Sequence, residues 1–137
     1  NSKGIVVASS DKAYGELIGD RYTEDHPLKG IYPYDASKSA TDLISYSYRQ
    51  TYQLPVVITR ACNIYGKGDY NKQRLIPGIV NSFLTGKEFT IRNNGKDLRE
   101  YINVRDVVSA YKEIMNYASN SGSQLTTHAL LLIKMNG

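Results

Sequence analysis

The sequence predicts an α/β fold in which a parallel sheet is flanked by helices. Two short β-branched runs without polar alternation, Gly4–Ala8 and Leu54–Thr59, read as strands buried on both faces. Between them, residues 35 to 51 run without Gly or Pro and read as a helix. Strand, helix and strand within about sixty residues form a βαβ unit, whose two strands must run parallel.

Each element follows from its residues. The first strand ends in Ser9, Ser10, Asp11 and Lys12, and Tyr14 and Gly15 come next. Residues 16 to 33 hold Gly19, Pro27, Gly30 and Pro33 among charges, which predicts a long loop. The helix from about Asp35 to Tyr52 carries Leu43, Ile44, Tyr46 and Tyr48 around most of its circumference. An all-round apolar helix predicts burial on more than one side. That suits a homodimer, and equally packing against the sheet and a missing helix. Pro55 is tolerable at the start of the second strand. Arg60 to Gln73 reads as a polar loop, and Ile76 and Pro77 open a helix that ends near Gly86. Phe89–Ile91 predicts a short strand and Asn93–Lys96 a turn. A last helix covers about Val104 to Ala118, with Val107, Val108, Tyr111, Ile114 and Met115 on its apolar face and Asp106 as a capping residue. From Asn116 to Gln124, Ser, Asn and Gly end the ordered pattern, and there is no internal repeat.

Composition sets the outer bounds. The 137 residues are one domain's worth, with ordinary hydrophobic (41%) and charged (22%) content for a globular protein. No run approaches the roughly 18 apolar residues of a membrane span. The start at Asn1 has neither Met nor a signal-peptide pattern, so the chain reads as the middle of something longer. One cysteine, Cys62, excludes an internal disulfide and fits a reducing, cytoplasmic compartment. Two His and one Cys, scattered, argue against a metal site. A net charge of +4 suits an anionic ligand but is too modest and dispersed for nucleic acid.

The candidate chemistry begins at Tyr34 and Lys38. Residues four apart share one helix face, so phenol and ammonium project together from the first turns. Of twelve Tyr, Tyr34 alone has a Lys four positions later. A nearby cation favours an ionised phenol, which makes a Tyr usable for proton transfer. Parallel sheets bind ligands beyond the carboxyl ends of their strands. Ser9–Lys12 and Arg60–Asn63 stand at two such ends, on the same rim as the start of the Tyr34 helix.

Five segments then carry a family resemblance: Ser9–Gly15, Tyr34–Lys38, Arg60–Asn63, Arg74–Pro77 and Arg99–Asp106. Their order and spacing resemble the extended short-chain dehydrogenase/reductase family, in its NAD-dependent nucleotide-sugar epimerase and dehydratase branch. The resemblance covers about residues 4 to 118. It implies the carboxyl-terminal part of a Rossmann-like, doubly wound parallel sheet with part of a smaller substrate-binding region. Residues 1–60 would belong to the NAD-binding core, 61–118 to substrate-binding elements and the last core helices, and 119–137 to a divergent or truncated tail.

The resemblance also implies roles. Tyr34 would take the proton of the sugar C4 hydroxyl as hydride leaves for NAD (or NADP). Lys38 would assist Tyr34 and bond the nicotinamide ribose, with Ser9 and Arg60 among the cofactor contacts. Ser10 would orient the C4 oxygen. Asp11 and Lys12 would supply the acid and base that a 4,6-dehydratase needs and a 4-epimerase does not. Ser-Asp-Lys here resembles the CDP-glucose 4,6-dehydratase type, which has Lys where others have Glu. A Lys acts as a base only where burial or neighbouring cations depress its pKa. Asn63, Arg74, Leu75 and Arg99 would hold the nucleotide diphosphate, and Phe89 and Ile91 would lie near the base.

Departures keep alternatives open. Asn63–Gly66 and Leu98–Val104 look more like the epimerase and general dehydratase pattern, so CDP, GDP, dTDP and UDP all stay possible. No Gly-rich strand-to-helix turn precedes residue 4, although the family holds the cofactor pyrophosphate there. Residues 125–137 do not read as the expected next strand. The expected function is therefore an NAD-dependent nucleotide-sugar 4,6-dehydratase or a piece of one. The alternatives are a 4-epimerase and a non-catalytic remnant that binds nucleotide-sugars.

Overall fold

A computed structural model describes residues 3–16, 22–91, 94–95, 99–121 and 128–131. Three parallel strands form the main sheet in the order β1 (Ile5–Ser10), β2 (Val56–Ala61) and β5 (His128–Leu131). A second, two-stranded parallel ladder joins β3 (Asn63–Tyr65) to β4 (Tyr101–Asn103). The helices are α1 (Pro33–Tyr52), α2 (Leu75–Thr85) and α3 (Val104–Ser121).

The β1–α1–β2 unit is the βαβ crossover that the sequence predicts. Its register pairs Ser9 with Arg60 and Ser10 with Ala61, which sets both carboxyl ends on one rim. β2 lies between two partners and is buried along its whole length. β1 is half-buried at Ile5–Val7 and exposed at Ala8, because among the described residues it pairs on one side alone. The expectation of burial on both faces therefore holds for β2 and not for β1.

α1 starts on Pro33, whose fixed φ suits the first helical position. It ends at Gln53, in the left-handed region at φ 53°, just ahead of Leu54 and Pro55. The buried residues of α1 are Asp42 and Arg49, whereas Leu43, Ile44, Tyr46, Tyr48 and Tyr52 are exposed. Within this chain α1 is therefore buried on one side, and its apolar side chains face outward.

α3 is built the usual way. Asn103 Oδ1 accepts the Arg105 backbone N–H at 2.9 Å, so Asn103 caps the helix and Asp106 lies in its first turn. Val107, Tyr111, Ile114 and Ala118 repeat every three or four residues and pack inward: Val107 and Tyr111 with Cys62 and Ile102, Ile114 and Ala118 with Val57.

Three local expectations are revised. Residues 89–91 form no strand; the Phe89 ring packs on Gly78, where a Cβ would stand 2.5 Å from Cε2. The stretch read as the Arg60–Gln73 loop contains β3. The tail contains β5, paired with Ile58–Ala61 of β2. The turn expected at Asn93–Lys96 lies partly outside the described residues.

Candidate active site

The carboxyl ends of β1 and β2 open into a cleft of about 450 Å³. Ser10, Asp11, Lys12, Tyr34, Asn63 and Arg74 all line it. They come from the end of β1, the start of α1, β3 and the entry to α2, so four separate segments converge there.

Ser10 caps the 3₁₀ turn Asp11–Tyr14. Its Oγ accepts the Lys12 backbone N–H at 3.3 Å and donates to Asp11 Oδ1 at 3.0 Å. This fixes Asp11 and Lys12 on a tight, defined turn rather than a loose loop. Gly15 closes the turn at φ 77°, and a Cβ there would collide with the Lys29 carbonyl. Lys29 N donates to Ala13 O at 3.1 Å, which laces the following loop back onto the turn.

Tyr34 and Lys38 share one face of α1, with Lys38 Nζ 5.9 Å from the Tyr34 ring centroid. Lys38 Nζ also donates to Ala8 O at 3.2 Å, and Ser9 Oγ donates to Lys38 O at 3.4 Å. Helix and strand end are thus pinned in both directions. Ser39 adds a third tie, donating to Ala13 O at 2.8 Å.

On the far side, Asn63 Nδ2 donates to Glu100 O at 3.0 Å, which sets its amide against β4. Arg74 Nη1 meets Asp69 Oδ2 at 3.2 Å, and both residues line the cleft. Leu75 lines it too. Arg99 is not among the lining residues, but its charge reaches Tyr22, whose phenol is pushed up by burial and by Asp11 and Asp35 and held down by Arg99.

Arg60 stands elsewhere than expected. Its guanidinium is buried and bonded to Asp42 Oδ2 at 2.5 Å and Tyr14 OH at 2.7 Å, and it reaches Glu24 O at 3.3 Å. The Arg60 side chain belongs to a network beneath the rim. Burial raises the Tyr14 phenol above its ordinary value although Arg60 bonds and attracts its charged form.

Sequence reading missed several lining residues, among them Cys62, Tyr65, Asp69 and Tyr101. Burial, with Asp11 and Glu100 adding to it, pushes the Cys62 thiol up to about 11. Only their place just past a predicted strand end could have flagged Cys62 and Tyr65. Asp69 and Tyr101 are brought in by β3 and β4, which no pattern announced. No cluster of three His, Cys, Asp or Glu suited to a metal occurs among the described residues.

Comparison with known proteins bears on the family and the fold. The chain is 36% identical over 111 residues to the low-salt glycan biosynthesis protein Agl12 of Haloferax volcanii, covering 81% of this chain and 36% of that protein. It is 36% identical over 124 residues to dTDP-D-glucose 4,6-dehydratase of Dictyostelium discoideum, covering 82% and 28% respectively. The crystal structure of dTDP-glucose 4,6-dehydratase from Bacillus anthracis in complex with NAD superimposes with a TM-score of 0.84 at 33% identity, over 94% of this chain and 40% of that one. The chain thus spans well under half the length of these relatives. The profile of the NAD dependent epimerase/dehydratase family matches residues 1–125. The chain belongs to that family.

Proposed function

We propose that this chain carries the catalytic rim of an NAD-dependent nucleotide-sugar 4,6-dehydratase, converting an NDP-hexose to its 4-keto-6-deoxy form. One observation carries the reading: Asp11 and Lys12 line the same cleft as Ser10 and Tyr34. A 4-epimerase needs the latter two but has no use for an adjacent acid and base.

The residues present fit the nicotinamide-ribose end of NAD. A phenol and an ammonium share one helix face, with the Ser9 hydroxyl beside them. The pyrophosphate needs a Gly-rich turn that no described residue supplies. Tyr34, Lys38 and Ser9 would hold that end of NAD, which would supply the hydride chemistry between C4 and C6. Tyr34 takes the C4 hydroxyl proton, assisted by Lys38, while Ser10 orients that oxygen. Lys12 removes the C5 proton and Asp11 protonates the departing C6 hydroxyl, so water leaves. Lys12 returns its proton to C5 as C6 is reduced, Tyr34 gives its proton to solvent and Asp11 regains one. Asn63, Arg74, Leu75 and Arg99 hold the nucleotide diphosphate. Residues 1–60 serve the cofactor core and 61–118 the substrate. A homodimer and a cytoplasmic setting complete the reading, which is supported by the outward apolar face of α1 and by the absence, among the described residues, of a helix able to cross a membrane.

The test is turnover of the full polypeptide as encoded, with NAD and dTDP-glucose first, then the CDP-, UDP- and GDP-hexoses. A 4-keto-6-deoxy product supports the proposal. Recovery of the C4 epimer alone means an epimerase, and nucleotide-sugar binding without turnover means a binding protein. Tyr34→Phe should lower kcat about 100- to 10,000-fold with nucleotide affinity unchanged.

A further inference from the structure

The helix that bears Tyr34 and Lys38 is fastened to the sheet by a buried ion pair. Asp42 lies one turn beyond Lys38 and two beyond Tyr34, on the same face. It is 1% exposed, and Arg60, its partner at 2.5 Å, is 3% exposed. Arg60 sits on β2 beside Ser9 of β1 in the parallel register. Its other hydrogen bonds go to Tyr14 OH, at the end of the turn that carries Asp11 and Lys12, and to Glu24 O in the following loop. Its guanidinium also lies 4.8 Å from the Tyr14 ring centroid.

A buried ion pair is a poor source of stability. Removing two charges from water costs several kcal/mol per ion, and a well-packed apolar pair often does as well or better. The pair is not even fully satisfied, since Asp42 Oδ1 has no hydrogen-bond partner. What it supplies is direction. An apolar contact tolerates a slide along the helix axis, whereas a fork bonded to a carboxylate, a phenol and a carbonyl does not.

We propose that Asp42, Arg60 and Tyr14 form a positioning network that sets the axial place of α1, so that Tyr34 and Lys38 face Ser10, Asp11 and Lys12. None of the three touches substrate; each acts through the residues it holds. The inference rests on the dehydratase reading for its kinetic consequence, and its geometric consequence stands apart from that reading.

The experiment compares wild type, Asp42→Asn, Arg60→Lys and the double variant Asp42→Leu/Arg60→Met, each in the full polypeptide with NAD. The double variant should retain its melting temperature, because apolar residues replace the pair. Its kcat should nevertheless fall about 100-fold, the penalty of a displacement near 1 Å, while dTDP affinity changes less than about threefold. Arg60→Lys keeps the charge without the fork and should recover part of that loss. Equal kcat in wild type and a folded double variant would overturn the proposal. If the double variant does not fold, the same split in Asp42→Asn decides. A wild type without dehydratase turnover would sink the functional reading alone. Amide exchange across residues 35–40 then decides the positioning role: a rise of about tenfold confined to that turn supports it, and unchanged protection overturns it.

Discussion

α1 and α3 both pack on the main sheet, yet they do so by opposite means. α3 turns Val107, Tyr111, Ile114 and Ala118 inward, and its seat is mainly non-directional packing. α1 turns Lys38, Ser39, Asp42 and Arg49 inward, bonding them to Ala8 O, Ala13 O, Arg60 and Val56 O. Its apolar residues look outward, with Leu43 59% and Ile44 60% exposed. The helix with no candidate chemistry is seated by shape and burial. The helix with the candidate diad is seated by hydrogen bonds of fixed length and direction, which suits a job where small displacements matter.

The contrast can be broken by mutation. Asp42→Ala should have the largest effect, destabilising by about 3–5 kcal/mol in urea titration because it strands a buried guanidinium. Val107→Ala should cost roughly 2 kcal/mol by the same measurement, through lost burial and a small cavity. It should leave the rim intact, so nucleotide affinity should not change. Ile44→Ser on the outer face of α1 should lie within about 0.5 kcal/mol of wild type in a monomer. A larger loss that depends on protein concentration would show that a second copy covers that face.

Alkaline titration sharpens the comparison from both sides. Tyr14 belongs to the polar network of α1 and Cys62 to the apolar cluster of α3. Both ionise later in the folded chain than in the unfolded one, Cys62 at about 11 against an ordinary 9.0. The folded state therefore holds its protons where the unfolded state releases them. The stability margin is whole below pH 9 and falls as pH rises from there through 11 for Cys62, and above 10 for Tyr14. Denaturant midpoints measured from pH 8 upward should decline across that window. The Cys62 thiol should also resist alkylation at pH 8 until the chain unfolds.

Much of this arrangement is legible from the chain. β2 announces itself because its first half, Val56–Ile58, is an unbroken β-branched apolar run, and the βαβ order follows from chain connectivity. Ser10, Asp11 and Tyr34 are foreseeable as one site because strand ends of a parallel sheet share a rim. The Asp42–Arg60 pair is hidden, since its partners stand eighteen residues apart and no spacing rule links a helix carboxylate to an arginine at the end of the next strand. β3 is three residues long, too short for any period to show. The outward face of α1 misleads for a physical reason: apolar residues signal burial only on average, and here the inward positions went to residues that bond.

The parallel register of β1 and β2 has a kinetic consequence. Ile5 meets Val56, about fifty residues away in sequence, so no part of this ladder can nucleate locally. α1 can form within microseconds, but the strands must wait for the whole intervening loop to close. Refolding should therefore be governed by that search rather than by helix formation. Until it ends, the unpaired strand edges of β1 and β2 are exposed to other chains, and dilution should improve recovery of the native state.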